Sequence, residues 1–318
     1  MKILLYSDVH WTTNSSIVRQ RGEKFSKRLE NLIASVNWAE QLADKEGCGA
    51  IICLGDFFDK PTLQAEELTA LMEVNWAKMP HYFIIGNHEA EGADLRYSSI
   101  YSLPKSFTFI DEPVKFNFGN RDVLMLPYGA EDKDIVNSSI ILSHNDLKGI
   151  RYGKIISQSG LDTQKLYNNC ELCICGHIHN RTQVNDKISI IGNLTGQNFS
   201  EDAFIYEHGV VILDTDTLKC SFYKNPFAFN FYKIDVANGK SPAIEGNAVV
   251  SVTALESQFE AVKYALKDYI YKIIIKKEEA QEQVEFQQVD HLQKFRECVL
   301  DKVGASDIIL EELENVCK

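Results

Sequence analysis

The stretch ELCICGHIHN, Glu171 to Asn180, sets two cysteines and two histidines at every second position: Cys173, Cys175, His177 and His179. Four metal-ligand residue types in alternation invite a zinc reading. Their period is that of a strand, however. At about 3.3 Å per residue, Cys173 and His179 lie about 20 Å apart in an extended chain. One zinc ion with ligand bonds of about 2.0–2.3 Å gathers all four only if the chain folds back on itself. The apolar LCIC reads as a buried strand that ends at Gly176, with the two histidines beyond it, in a loop. What the histidines do then depends on what other strands deliver beside them.

Four further pieces have the same layout, an apolar run followed at once by a polar loop. They are SDVH (Asp8, His10) after KILLY, GDFFD (Asp56, Asp59) after AIIC, GNHE (Asn87, His88) after HYFII, and SHND (His144) after IIL. A sheet would deliver all five loops to one edge, which is where open α/β folds place their sites. Mixed carboxylate, amide and imidazole donors suit manganese, iron or zinc far better than calcium. They also suit a two-metal hydrolytic site, in which the ions lower the pKa of a shared water and take up charge from phosphorus.

The rest of the chain agrees with a layered α/β design. Apolar periodicity predicts helices over Glu23–Glu46 and Ala65–Met79. After Pro113 the strands follow one another with little helix between them, and Gly119-Asn120 and Asn185-Asp186 mark hairpin turns. Past Pro226 the pattern becomes β-β-α-β, with the helix over Glu256–Lys267. The polar run KKEEAQEQ then leads into two short amphipathic helices. The expected domains are 1–228, 229–280 and 281–318.

With 318 residues, 45% hydrophobic and 25% charged, the chain has the composition of a soluble globular protein. No apolar run is long enough to span a bilayer, and Asp8 and His10 interrupt the N-terminus too early for a signal peptide, so a cytoplasmic location and no membrane contact are expected. The eight cysteines are then reduced, buried small hydrophobes. Cys170 and Cys173 form a C-x-x-C with no second pair at ligand spacing. A formal net charge of −12 argues against binding nucleic acid through bulk electrostatics, yet leaves room for a local basic patch.

D-x-H, G-D-x-x-D, G-N-H, H and G-H-x-H in this order resemble the calcineurin-like metallophosphoesterase family over Met1 to about Asn225. The resemblance implies a sandwich of mixed sheets flanked by helices, with a small α+β cap and C-terminal helices after it. It implies two divalent ions, manganese by expectation. Asp8, His10, Asp56 and His179 would hold one, and Asp56, Asn87, His144 and His177 the other. His88 would act on the leaving oxygen, and Asp59 would orient a ligand. Cys173 and Cys175 then have no part in the metal site.

Substrate class is read from the neighbours. Phosphoprotein phosphatases of this family carry arginines beside the second and third motifs, where this chain has Lys60 and Ile85. Glu89 is the phosphatase-like residue, in place of the Asp usual in nucleases. The glycine-polar segment IIGNLTGQNFSED, the cap and the tail resemble SbcD-type nuclease subunits. That implies exonuclease action on duplex DNA, endonuclease action on single strands, a homodimer, and an SbcC-type coiled-coil ATPase partner in recombination and repair. The rivals are a stand-alone phosphomonoesterase or cyclic-nucleotide phosphodiesterase, and a scaffold without catalysis. Two basic clusters, Arg19 to Arg28 and Lys148, Arg151 and Lys154, read either as solvated faces or, for the second, as DNA-backbone contacts. Phe227, Phe229 and Phe231 read as a half-buried strand, with base stacking the alternative. The tail stripe of Phe286, Val289, Leu292, Phe295 and Val299 docks either on a partner or on this chain.

Overall fold

The computed structural model describes residues 1–90, 98–152, 155–236 and 243–276. Lys154 and the expected helices at 281–318 lie outside them. Runs that are apolar at every residue, such as Ile3–Leu5 and Ile51–Ile52, are what a strand covered on both faces requires. Both main sheets are built this way.

The first sheet has six strands in the order Lys219–Lys224, Gly209–Asp214, Lys2–Tyr6, Ala50–Cys53, His81–Ile84 and Thr108–Ile110. The second has Thr182–Gln183, Ile188–Ile190, Cys170–Cys175, Ser138–Ser143, Arg121–Leu126 and Val114–Phe118. The strands from Lys2–Tyr6 to Thr108–Ile110 in the first sheet and from Ile188–Ile190 to Arg121–Leu126 in the second are parallel. Antiparallel strands complete both sheets, including the hairpins turning at Gly119-Asn120 and Asn185-Asp186. Between the sheets lies a core of Ile3, Leu5, Ile52 and Ile84 against Val123, Met125, Ile140, Leu142 and Ile174. Leu4, Tyr6, Ile51 and Phe83 face the other way, onto Leu29, Leu32, Val36 and Ala39 of the helix Lys27–Lys45. The outer face of the second sheet, with Cys173 and Cys175, packs on Leu166 of the helix Thr163–Asn169. The layers therefore run helix, sheet, sheet, helix. Among the described residues no helix is long and apolar enough to cross a membrane.

Both predicted N-terminal helices are shorter than their periodicity suggests. The first starts at Lys27, because the Ser26 side chain accepts the Leu29 N–H and caps it there. The second covers only Ala65–Leu71. Beyond it, side chains of the first helix capture the backbone: Asn75 N donates to Asn37 Oδ1 at 2.7 Å and Ala77 N to Glu40 Oε2 at 2.9 Å. Trp76 is thereby set among Phe57, Phe83 and Phe107. Tertiary contacts outweigh local helix propensity there.

The strands Phe229–Asp235, Asn247–Leu255 and Ile270–Lys276, with the helix Phe259–Ala265 before the last, form a third sheet, parallel throughout. Its order is the β-β-α-β of the sequence reading. Phe229 and Phe231 are buried with Val18, Phe199 and Val249, so their alternation is strand packing, not a stacking surface. Met1–Lys276 forms one compact unit.

Candidate metal centre

Five loops leave the C-terminal ends of parallel strands, three in the first sheet and two in the second, and meet at one edge of the sandwich. Backbone bonds zip them together. Asp8 N donates to Gly55 O at 3.1 Å, His10 N to Asp56 O at 3.0 Å, His144 N to Leu126 O at 3.1 Å, and Gly176 N to Ser143 O at 2.9 Å. Asp8, His10, Asp56 and His177 have positive φ, four of the five such non-glycine residues among those described. Each such conformation costs about 1–3 kcal/mol and turns the chain out of strand alternation, a strain that collects at functional sites.

The side chains brought together are those singled out in the sequence. Among the described residues three groups have ligand atoms within 4.8 Å of one another: Asp8, His10 and His179; His10, Asp56 and His88; and Asp56, His144 and His177. Asn87 joins the last, its Oδ1 3.0 Å from His177 Nδ1 and 3.3 Å from His144 Nε2. Asp56 sits centrally, with Oδ2 3.1 Å from His144 Nε2, 3.9 Å from His10 Nε2 and 4.0 Å from His88 Nε2. Asp59 places Oδ1 3.4 Å from His10 Nδ1. The site leaves no room at its glycines. A Cβ at Gly86 would lie 2.1 Å from Asp56 Oδ1, and Gly55, at φ +108°, would put one 2.2 Å from His144 Nδ1. No cysteine enters any of these groups; Cys173 and Cys175 are buried on the far face.

Titration follows from the crowding. Burial opposes the Asp56 charge, but His144, with His10 and His88 behind it, outweighs that and holds the carboxyl well below its ordinary range. Burial likewise opposes charge on His144, and Asp56 overcomes it, raising the imidazole to about 9. His10 and His177 are lowered, chiefly by burial. On His179 burial acts first, but the hydrogen bond to Glu201 wins and the pKa rises.

Two carboxylates at the centre, Glu201 and Asp146, were missed from the sequence, and the role of a third, Glu89, was not read there. Glu201, fully buried, sets Oε1 2.8 Å from His179 Nδ1, while Asn193 and Gln197 donate to its Oε2. Asp146 sets Oδ1 3.3 Å from His177 Nε2. Glu89, also fully buried, accepts from Asp56 N, Phe58 N and Gly86 N at 3.2, 2.9 and 2.9 Å, and so staples the second loop to the third. Burial, then Asp56, raises its pKa to about 7. Glu89 therefore acts on the backbone of the site.

The donor set fits metal ions. Among the described residues Asp8 Oδ1 is buried with no hydrogen-bond partner, and His10 Nε2 and His179 Nε2 face each other at 3.1 Å, an arrangement a cation between or beside them would satisfy.

The family model of calcineurin-like phosphoesterases matches residues 1–181, and the chain belongs to that family. It is a metal-dependent hydrolase of phosphoesters, and the fold of this family holds a dinuclear metal site. Similar solved structures include an archaeal phosphodiesterase (15% identity, 70% of this chain and 99% of that one, TM-score 0.39). Others are a dimetal phosphatase from Danio rerio (12%, 67% and 91%, TM-score 0.41) and a metallophosphoesterase from Sphaerobacter thermophilus (18%, 70% and 88%, TM-score 0.31). Similarity at this level says nothing of the substrate. The chain has no significant match among curated proteins.

Proposed function

We propose that the chain is the nuclease subunit of a DNA recombination or repair machine, cleaving phosphodiesters as a duplex exonuclease and single-strand endonuclease beside an SbcC-type coiled-coil ATPase. The supporting observation is what flanks the second and third loops. Ile85 is buried in the helix-side core and Lys60 is exposed, so neither position offers the guanidinium fork that suits a phosphomonoester dianion. A diester, with one charge fewer, makes no such demand.

In this reading Asp8, His10, Asp56 and His179 hold one divalent ion and Asp56, Asn87, His144 and His177 the other, manganese being the expected metal. Bound there, the pair would supply Lewis-acid stabilisation and an activated water. The chain's own residues do the rest. His88 Nδ1 donates to Asp59 O at 2.9 Å, which orients the ring and points Nε2 into the site. There the doubly protonated imidazolium gives its Nε2 proton to the leaving oxygen and is left neutral with its proton on Nδ1. Asp59 holds the His10 ring and Glu201 the His179 ring. Residues 1–228 carry the hydrolysis, 229–280 cap the substrate, and 281–318 dock the ATPase, with the nuclease subunit working as a homodimer in the cytoplasm.

The test is manganese-dependent hydrolysis by the purified chain of linear duplex DNA, single-stranded DNA and p-nitrophenyl phosphate. Cleavage of either DNA with little phosphomonoesterase turnover is expected. Strong monoesterase activity and intact DNA would replace this reading with the phosphomonoesterase one.

A further inference from the structure

Tyr128 is an exposed aromatic residue at the lip of the centre. The residue is 45% exposed, and its ring centroid lies 5.9 Å from that of His177, tilted at 42°. The backbone beneath it is pinned on three sides. Tyr128 N donates to Ile85 O at 2.9 Å, which ties it to the strand end ahead of Gly86 and Asn87. Asn145, buried and next in sequence to His144, clasps both neighbours. Its Nδ2 donates to Pro127 O at 2.8 Å, and its Oδ1 accepts from Gly129 N at 3.0 Å.

Most large aromatic rings of the sandwich fill cores, because burial of their apolar area stabilises the fold. Tyr101 and Phe204 are exposed to a similar degree, but their rings meet Phe109 and Tyr232 rather than a histidine of the centre. At Tyr128 the loop is held by three hydrogen bonds, yet the residue is exposed. A ring presented on a pinned loop loses little conformational freedom when a ligand covers it. It lies on the His144–His177 side of the centre. An aromatic face there is placed for a flat group joined to a phosphate that occupies the metals.

We propose that Tyr128 is a positioning residue that stacks the nucleobase next to the scissile phosphate of a single strand. The inference rests on the nuclease reading. The stack orients the strand so that the phosphodiester, rather than a neighbouring linkage, enters the centre. Every base has a face to offer, so the contact is indifferent to sequence.

The experiment uses short single strands in which one normal phosphodiester is flanked by phosphorothioates, with a base or an abasic residue on either side of it. With the wild-type protein and manganese, removing the base on one side raises KM by about tenfold or more, the scale of one lost stack. Tyr128→Ala raises KM on the intact strand to the same degree and no longer responds to the abasic residue. Tyr128→Phe behaves as wild type, and both variants keep the wild-type manganese content and kcat. If Tyr128→Ala loses as much on the abasic strand as on the intact one, or Tyr128→Phe fails as Ala does, stacking is overturned while the nuclease reading stands. A wild-type protein that cleaves no strand overturns both.

Discussion

Glu201 Oε1 lies 2.8 Å from His179 Nδ1, 22 residues away along the chain, and both oxygens of that buried carboxylate are satisfied by named partners. The bond assigns the His179 proton to Nδ1 and leaves Nε2 to face Asp8 and His10. Partners of this kind raise ligand basicity and hold the ring in place. Glu201→Gln keeps the shape and removes the charge. Manganese affinity should fall about 10–100-fold, read by calorimetric titration, with the folded structure intact by circular dichroism. Unchanged affinity would reduce Glu201 to a packing residue of its loop.

His88 and Asp56 should fail differently. His88 is a third exposed and hangs its Nδ1 on a carbonyl, whereas Asp56 is buried amid three histidines. His88→Ala should keep both metals and lose about 10²-fold or more in kcat, the scale of a missing general acid. Asp56→Ala should lose metal together with activity. Elemental analysis of the two purified variants separates them, and a metal-depleted His88→Ala would make His88 a ligand.

The five loops were legible because both faces of each parallel strand are covered, so the apolar runs stop abruptly where the ligands begin. The alternation of Cys173, Cys175, His177 and His179 resolved for the same reason: the cysteines are strand, the histidines loop. Glu201 and Asp146 were not legible, and neither was the hold of Glu89 on the backbone. Each is a lone carboxylate in a segment without period, and its partner is an imidazole or a backbone amide brought near only by packing. The second helix was overread for a related reason, since Asn37 and Glu40 intercept its backbone from another helix.

His208 makes the fold sensitive to acid. It is buried, donates from Nδ1 to Asn193 Oδ1, and has no hydrogen-bond partner at Nε2 among the described residues. Burial drives its pKa down from 6.5 to about 4. The unfolded chain therefore takes up a proton at His208 below about pH 6.5, while the folded protein resists until about pH 4. Stability is full above the unfolded value and falls as the pH drops toward the folded one, by an amount on the order of 3 kcal/mol from this group. His208→Asn removes the titration and should flatten the fall of urea midpoints between pH 6.5 and 4. An equally steep fall in the variant would assign the acid sensitivity elsewhere.

The two basic clusters part company in the structure. Arg21 pairs with Glu66 at 2.6 Å, Lys24 pairs with Glu73, and Arg28 is buried with its guanidinium on Gly196 O, so most of the first cluster is spent within the fold. In the second, Lys148 is exposed at the end of the loop that follows His144, and Arg151 begins the next short strand. Replacing Lys148, Arg151 and Lys154 with Ala should weaken DNA binding to a similar degree on unrelated sequences, as lost phosphate contacts do. The slope of log affinity against log salt should shrink by about 0.7–0.9 for each phosphate contact removed, the lower figure on single strands. Arg21→Ala and Lys24→Ala together should leave that slope unchanged, since their charges are already answered by Glu66 and Glu73. A reduced slope in the Arg21 and Lys24 double variant, with none in the triple variant, would exchange the two clusters and move the DNA path to the other side of the centre.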